Sequence, residues 1–223
     1  VYAVMAPDGS VTSTTVSAHL YNAAGLSGVT DRSILTDIVN TESDAAFTQN
    51  GDSLIWDTTD TDVYYKGNTS RALPVSAAVT YALDGETAPL ENLLGKSGHL
   101  TIRIDLTNNE TGTVTVNGAE RTVVTPFITA VGVVLGEDAS NVTLEHGLLE
   151  SAAKSTVAAF VTLPGVRGAL SGLLPDSFSA AEDYLQDSVT VEADVENLSA
   201  PQILLASAAS AEALGQDNVF DLS

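Results

Sequence analysis

Val75-Ser-Ala-Ala-Val-Thr-Tyr-Ala-Leu83, Asp84-Gly85, Pro89-Leu-Glu-Asn-Leu-Leu-Gly95-Lys-Ser-Gly98 and Leu100-Thr-Ile-Arg-Ile-Asp-Leu106 run in succession through the middle of the chain. In the first segment Val75, Ala77, Val79, Tyr81 and Leu83 alternate with Ser76, Ala78, Thr80 and Ala82. A period of two puts the first set on one face of a strand. In the last segment Leu100, Ile102, Ile104 and Leu106 alternate with Thr101, Arg103, Asp105 and Thr107, the cleanest half-buried strand in the sequence. Asp84-Gly85 is a turn pair. Pro89 fits the first position of a helical turn and Gly95 the position just past its end. Leu90, Leu93 and Leu94 are expected to cap the edge of a sandwich. A one-residue slip would turn the large apolar side chains of the last segment into water, so this strand pair is expected to fix the sheet.

Towards the N-terminus, residues 1–5 are apolar, Pro7-Asp8-Gly9-Ser10 is a turn signal, and residues 11–21 are rich in Thr and Val. Together they read as a β-hairpin. Residues 22–28 read as loop. Residues 31–40 hold Ile34, Leu35, Ile38 and Val39, which fit either one helical turn or an irregular strand. Asn50-Gly51 between Phe47 and Leu54-Ile-Trp56 signals a second hairpin, and Val63-Tyr-Tyr65 a further short strand.

Towards the C-terminus, Thr113-Val-Thr-Val116, Asn117-Gly118 and residues 119–124 read as a third hairpin with a type I′ turn. Residues 126–135 read as a buried strand, followed by strands at 141–144 and 155–163, with Val157, Ala159, Val161 and Leu163 sharing a face of the latter. Residues 165–186, with three glycines and Pro175, read as a long loop containing one or two helical turns. Val189, Val191, Ala193 and Val195 alternate with Thr190, Glu192, Asp194 and Glu196, a strand with an acidic outer face. Residues 203–205 read as the last strand, the Ala-rich 206–214 as helical, and the end as frayed. The fold class is therefore all-β: an antiparallel β-sandwich of immunoglobulin-like type over residues 73–211, with few short helical turns. An N-terminal β-hairpin region (1–72) precedes it and a tail (212–223) follows it.

The chain has 223 residues, enough for one large β domain or two small ones. Its 29 acidic residues against 8 basic ones give a formal net charge of -21. That charge argues against nucleic-acid phosphates and anionic lipid as partners, and its plainest use is solubility. There is no cysteine, so disulfide and thiolate chemistry is excluded for this sequence. No apolar run is long enough to expect direct membrane insertion by this segment. The first residue is Val rather than Met and lies inside a strand pattern, so the sequence is expected to belong to a longer precursor.

Few residue patterns carry chemistry. Gly95-Lys96-Ser97-Gly98 has the letters of a phosphate-loop ending, but the earlier glycine is missing and a strand, not a helix, follows. His19, His99 and His146 lie in separate segments without metal or triad spacing. Ser97 and Ser151 lack the context of a nucleophile elbow. Asp57-Thr-Thr-Asp60-Thr-Asp62 clusters oxygen ligands, roughly three or four of the six to eight that calcium takes. Asp57, Asp60 and Asp62 are thus the candidate calcium ligands, with a solvated acidic turn as the competing reading; no other cofactor is expected. Trp56, Tyr64 and Tyr65 are near one another in sequence and could stack on a sugar ring if exposed, or pack in a core. The three lysines, Lys66, Lys96 and Lys154, include one beside an apolar strand, Lys154, where a covalent Lys–Asn or Lys–Asp bond is conceivable. Sequons at Asn68, Asn109, Asn141 and Asn197 are close to what Ser and Thr content gives by chance.

Several blocks occur in a fixed order: Val1-Tyr2-Ala3 with Asp8-Gly9-Ser10-Val11, Tyr64-Tyr65-Lys66-Gly67 with Leu73-Pro74, and Tyr81-Ala-Leu-Asp-Gly85 with Leu94-Gly-Lys-Ser-Gly98. Thr125-Pro-Phe127, Asn141-Val142, Leu163-Pro-Gly165 and Val191-Glu-Ala-Asp-Val195 follow. This series resembles the ectodomain of a group of Gram-positive bacterial membrane-anchored proteins of uncharacterised function, and it covers nearly the whole chain. The chain departs from that pattern at Ser17-Ala-His19, where the group has Val-Val-Asn. The resemblance implies an exported, extracellular domain at the cell surface, anchored through helical and transmembrane segments elsewhere in the protein, and it supplies no catalytic residues. The expected function is a non-enzymatic module of a cell-envelope protein with a spacer, assembly or adhesion role. The alternatives are a carbohydrate- or peptide-binding module that takes a cell-wall glycan or a protein partner, and a hydrolase whose carboxylate pair is not recognisable in sequence.

Overall fold

The computed structural model describes residues 1–116, 118–152, 154–170 and 185–209. Within them the chain divides into two units, one of Val1–Ala6 with Ser10–Arg71 and one of Pro7–Gly9 with the residues from Ala72 onward.

The first unit contains β1 (Tyr2–Met5), β2 (Val11–Tyr21), β3 (Val29–Arg32), β4 (Thr36–Asn40), β5 (Phe47–Asn50), β6 (Ser53–Trp56) and β7 (Asp62–Asn68). They form a four-stranded sheet, order β1-β2-β7-β4, and a three-stranded sheet, order β3-β6-β5. The two sheets share a core of Leu26, Leu35, Leu54, Trp56, Val63 and Tyr65, with Val16, Ala18, Leu20, Ile38 and Phe47 against it. The two-residue period of β2 and β7 explains this: Val16, Ala18 and Leu20 point inward with Val63 and Tyr65, and Ser17, His19 and Tyr21 point outward with Tyr64 and Lys66. Residues 1–72 are therefore more than a hairpin region. The ambiguous stretch 31–40 resolves as the end of β3, three connecting residues and β4, and β4 is irregular because its pairing with β7 shifts between Thr36 and Val39, where Asp37 has φ +51°.

The second unit contains β8 (Val75–Leu83), β9 (Glu86–Thr87), β10 (Gly98–Asn108), β11 (Thr111–Val116), β12 (Ala119–Val124), β13 (Ile128–Leu135), β14 (Ala139–Leu144), β15 (Leu148–Ala152), β16 (Ser155–Thr162), a short helix α1 (Val166–Leu170), β17 (Ser188–Val195) and β18 (Gln202–Ala208). A five-stranded sheet of order β14-β17-β10-β8-β9 and a four-stranded sheet of order β15-β16-β13-β18 enclose one core, and β11-β12 form a separate ribbon. All these pairings are antiparallel. The architecture is the expected antiparallel β-sandwich. Its spine is β10, whose Leu100, Ile102 and Ile104 sit opposite Leu83, Tyr81 and Val79 on one side and Ala193, Val191 and Val189 on the other. Leu100, Ile102 and Ile104 are at most 1% exposed. At the β8–β9 turn Asp84 (φ +50°) and Gly85 (φ +84°) both take left-handed backbone, the geometry of a type I′ hairpin. The Asp84 carboxylate returns to accept the His99 N–H at 2.9 Å. Gly98 has φ +154°, which side-chain-bearing residues rarely adopt, and a Cβ there would stand 2.6 Å from that carboxylate, so the position favours glycine.

Several expectations change. The Pro89 turn is a short 3₁₀ helix at Leu90–Asn92 with Pro89 just before it; Leu90 and Leu93 are buried but Leu94 is exposed, so Leu94 is no part of the cap. On β16 the buried face is Ala158, Phe160 and Thr162, and Val157, Ala159 and Val161 lie on the opposite face. Strand β15 was not foreseen: Leu148–Ala152 is exposed throughout, so it carries no burial pattern. Residues 206–208 continue β18 as a strand paired with β13, because Ala206 and Ala208 meet Ala130 and Ile128 in register. The expected type I′ turn includes Asn117, the long loop includes 171–184, and the helix and tail include 210–223, all outside the described residues.

Candidate functional site

The expected ligand residues lie in the first unit. Trp56 ends β6 at 0% exposure, between Phe47 (ring centroids 5.0 Å) and Tyr65 (5.6 Å). Its indole Nε1 is buried without a hydrogen-bond partner. Tyr65 points inward from β7, and its hydroxyl donates to Asp31 at 2.5 Å. Burial, reinforced by Asp31, pushes the Tyr65 phenol up to about 12. Trp56 and Tyr65 are core residues with no face to offer a sugar, and the sugar-stacking expectation for them is corrected. The cause is the strand period: Tyr64, their neighbour, points outward and is exposed.

The acidic loop between β6 and β7 is folded against residues 22–28. The Leu26 N–H donates to the carbonyls of Thr58 and Asp60 at 3.1 Å each, and the Asn22 N–H to the Thr61 carbonyl at 2.9 Å. Asp57 accepts from the Ser27 hydroxyl at 3.1 Å, and Asp62 lies 2.8 Å from His19 Nε2 and accepts from the Thr61 hydroxyl. His19 first, then Thr61, hold the Asp62 carboxyl below its ordinary value. The Asp57 and Asp62 carboxylates thus serve separate bonds, and Asp60 joins the loop through its backbone carbonyl and N–H. Among the described residues no three His, Asp or Glu side chains come together in a way that could hold a metal ion.

What β7 does bring together is a row that sequence alone hides. The register pairs Thr15 with Asn68, Ser17 with Lys66, His19 with Tyr64, and Tyr21 with Asp62. His19 and Tyr64 stack, with centroids 4.2 Å apart and planes within 2°. Asp62 fixes the imidazole from the side. His19 looks isolated in the sequence because its partners are more than forty positions away, and the β2–β7 register joins them.

A second cluster lies on the outer face of the five-stranded sheet. His99 Nδ1 is 3.0 Å from Asp194, its Nε2 is 3.9 Å from Glu192, and the other Asp194 oxygen accepts from the Asn141 amide at 2.9 Å. The hydrogen bond to Asp194, with Glu192 and Asp84 nearby, raises the His99 pKa. Asp194 is lowered, by Asn141 first and His99 second. Through these bonds the group ties β14, β17 and β10 together. His146 is exposed elsewhere.

Lys66, Lys96 and Lys154 are all exposed, and Lys154 lies 3.9 Å from Glu137. A covalent Lys–Asn or Lys–Asp bond depends on a buried lysine, so this geometry does not provide one. An open depression in the first unit is lined by Asn40, at the end of β4, and by Thr41, Glu42, Ser43 and Asp44 that follow it. No helix among the described residues is long and apolar enough to cross a membrane. No family model and no curated protein matches this chain.

Proposed function

We propose that this chain is a non-enzymatic, extracellular module of a bacterial cell-envelope protein, of immunoglobulin-like character, with a spacer, assembly or adhesion role. The observation that carries the reading is how the polar groups of the candidate sites are used. Asp57, Asp62, Asp84 and Asp194 each bond to a neighbouring strand or turn, which is the work of a scaffold rather than of a reaction centre. The ordered sequence blocks add export and surface anchoring to that reading, and the strongly acidic surface suits a domain held in solution away from an anionic envelope.

The test is protease treatment of intact Gram-positive cells that make the full-length protein. Peptides of residues 1–223 released before lysis are the expected result. Peptides released only after lysis would refute the surface location, and a hydrolytic activity of the purified module would refute the non-enzymatic role.

A further inference from the structure

We infer that the outer face of the four-stranded sheet is a pairing surface for a second copy of this chain. Val131, Val133, Ala158, Phe160, Ile203 and Leu205 of that sheet pack into the core, so their neighbours in sequence point away from it. The strand registers join those outward residues into rungs. The central rung is Leu148–Ala159–Gly132–Leu204, across β15, β16, β13 and β18. Its two ends are large and open, Leu148 at 76% and Leu204 at 64% exposure, and its middle is one methyl group and a glycine. The rung is therefore a trough between two apolar ridges. Beside it lie Glu150–Val157–Val134–Gln202 on one side and Val161–Ala130–Ala206 on the other. Strands that are apolar on both faces are the pattern of a sheet covered on both sides. Here the core covers one side, and Leu148, Val161 and Leu204 stand exposed on the other.

Charge and shape select the occupant. Glu150, on the edge strand, is the one charged residue of these three rungs, in a chain of net charge -21. The outer face of the five-stranded sheet, by contrast, carries Arg103, Asp105, Glu192 and Asp194. A basic partner gains on the acidic surfaces and little on this face. A second copy is repelled wherever both copies carry acid, so a face almost without charge is where two copies meet at least cost. The trough suits the same partner. The Leu204 ridge of one copy enters the Ala159–Gly132 trough of the other, and a twofold axis returns the contact, so one surface serves both sides. Sheets packed face to face interdigitate in this way. Four strands of five to eight residues make a face of roughly 400 Å² at about 4.8 Å between strands and about 3.3 Å per residue. That is about half of what a stable interface takes from each partner, so the dimer is weak and forms at high local concentration. This inference goes beyond the module reading and is independent of it, because it concerns pairing of the domain and holds wherever the domain resides.

The test is sedimentation equilibrium of the 223-residue chain between about 1 μM and about 1 mM, with amide chemical shifts followed over the same dilution. A monomer–dimer equilibrium is expected, with dilution-dependent shifts at Gly132, Leu148, Ala159 and Leu204. The dissociation constant should fall about threefold or more between about 0.05 M and about 0.5 M sodium chloride, as salt screens two like-charged copies. Leu204→Glu and Leu148→Glu, both at exposed positions, should each raise it about tenfold or more while the chain stays folded. A monomer throughout the range would overturn the assignment. So would a mass that climbs past the dimer, a dimer that weakens with salt, or a dimer that both folded variants leave intact. Capture of a different protein on this face by a chain that stays monomeric would do the same.

Discussion

Asp138 accepts two hydrogen bonds from Ser199, one from its backbone N–H and one from its hydroxyl, both 2.7 Å long and spanning 61 positions of sequence. Asp138 lies between β13 and β14, and Ser199 between β17 and β18. Each of those connections crosses from one sheet of the sandwich to the other. The pair therefore ties two crossings together. Burial pushes the Asp138 carboxyl up, but the Ser199 bonds outweigh it and the net shift is downward. A depressed folded pKa gives stability that is present above the unfolded value near 3.9 and lost as pH falls through the folded value. Asp138→Ala should cost about 1–3 kcal/mol at pH 7 in denaturant melts. The penalty of Asp138→Asn should shrink only as pH falls below the ordinary carboxylate value and on through the depressed folded one.

His99 has the opposite sign. Asp194, then Glu192 and Asp84, raise its folded pKa above the ordinary value of 6.5. Its stabilising effect is present below that value and lost as pH rises through the folded one. The melting temperature of the wild type relative to His99→Gln should be highest near pH 6 and should decline towards about pH 9. A difference that does not change with pH would show that the imidazole acts only by packing.

The β10 strand was legible in the sequence because burial and period coincide: all of Leu100, Ile102, Ile104 and Leu106 go inward. Where that coincidence fails, the sequence misleads. Strand β16 has small or apolar residues on both faces, so Val157 and Val161 looked as fit for the core as Ala158 and Phe160, which occupy it. Strand β15 has no buried face to leave a pattern. For the candidate site, Tyr64 and Tyr65 are adjacent letters with opposite fates, and only a correct strand phase separates them. His19 and Tyr64 are joined by a register between distant strands, and no local signal encodes such a register.

Salt should stabilise the protein. Glu192 and Asp194 point outward two positions apart on β17, with Glu196 following, and His99 beside them offers a partial counter-charge. Eight basic residues cannot neutralise 29 acidic ones. Like charges so placed repel, and salt screens them over roughly 10 Å at 0.1 M. Thermal melts should show a rise between low salt and about 0.5 M sodium chloride. A flat or falling melting temperature would mean that the charges are already compensated by bound cations.

Calcium should add nothing specific. Asp57 is bonded to Ser27 and Asp62 to His19 and Thr61, and Asp60 shares no bond with either. Melting temperatures in calcium and in magnesium at equal ionic strength should coincide, and Asp60→Asn should leave both unchanged. A rise peculiar to calcium and removed by Asp60→Asn would restore Asp57, Asp60 and Asp62 as ligands, since a ligand of the native state stabilises by mass action.

The placement of every strand in the larger sandwich depends on β10 lying between β8 and β17 in the register that buries Ile102 against Tyr81 and Val191. Ile102 is 1% exposed, and its removal leaves a cavity in the centre of that sheet. Denaturant unfolding of Ile102→Ala is the most direct measurement. A loss of about 2–5 kcal/mol with an unchanged m-value is the expected result. A loss below about 1 kcal/mol would place Ile102 at the surface and contradict the register from which the fold is built.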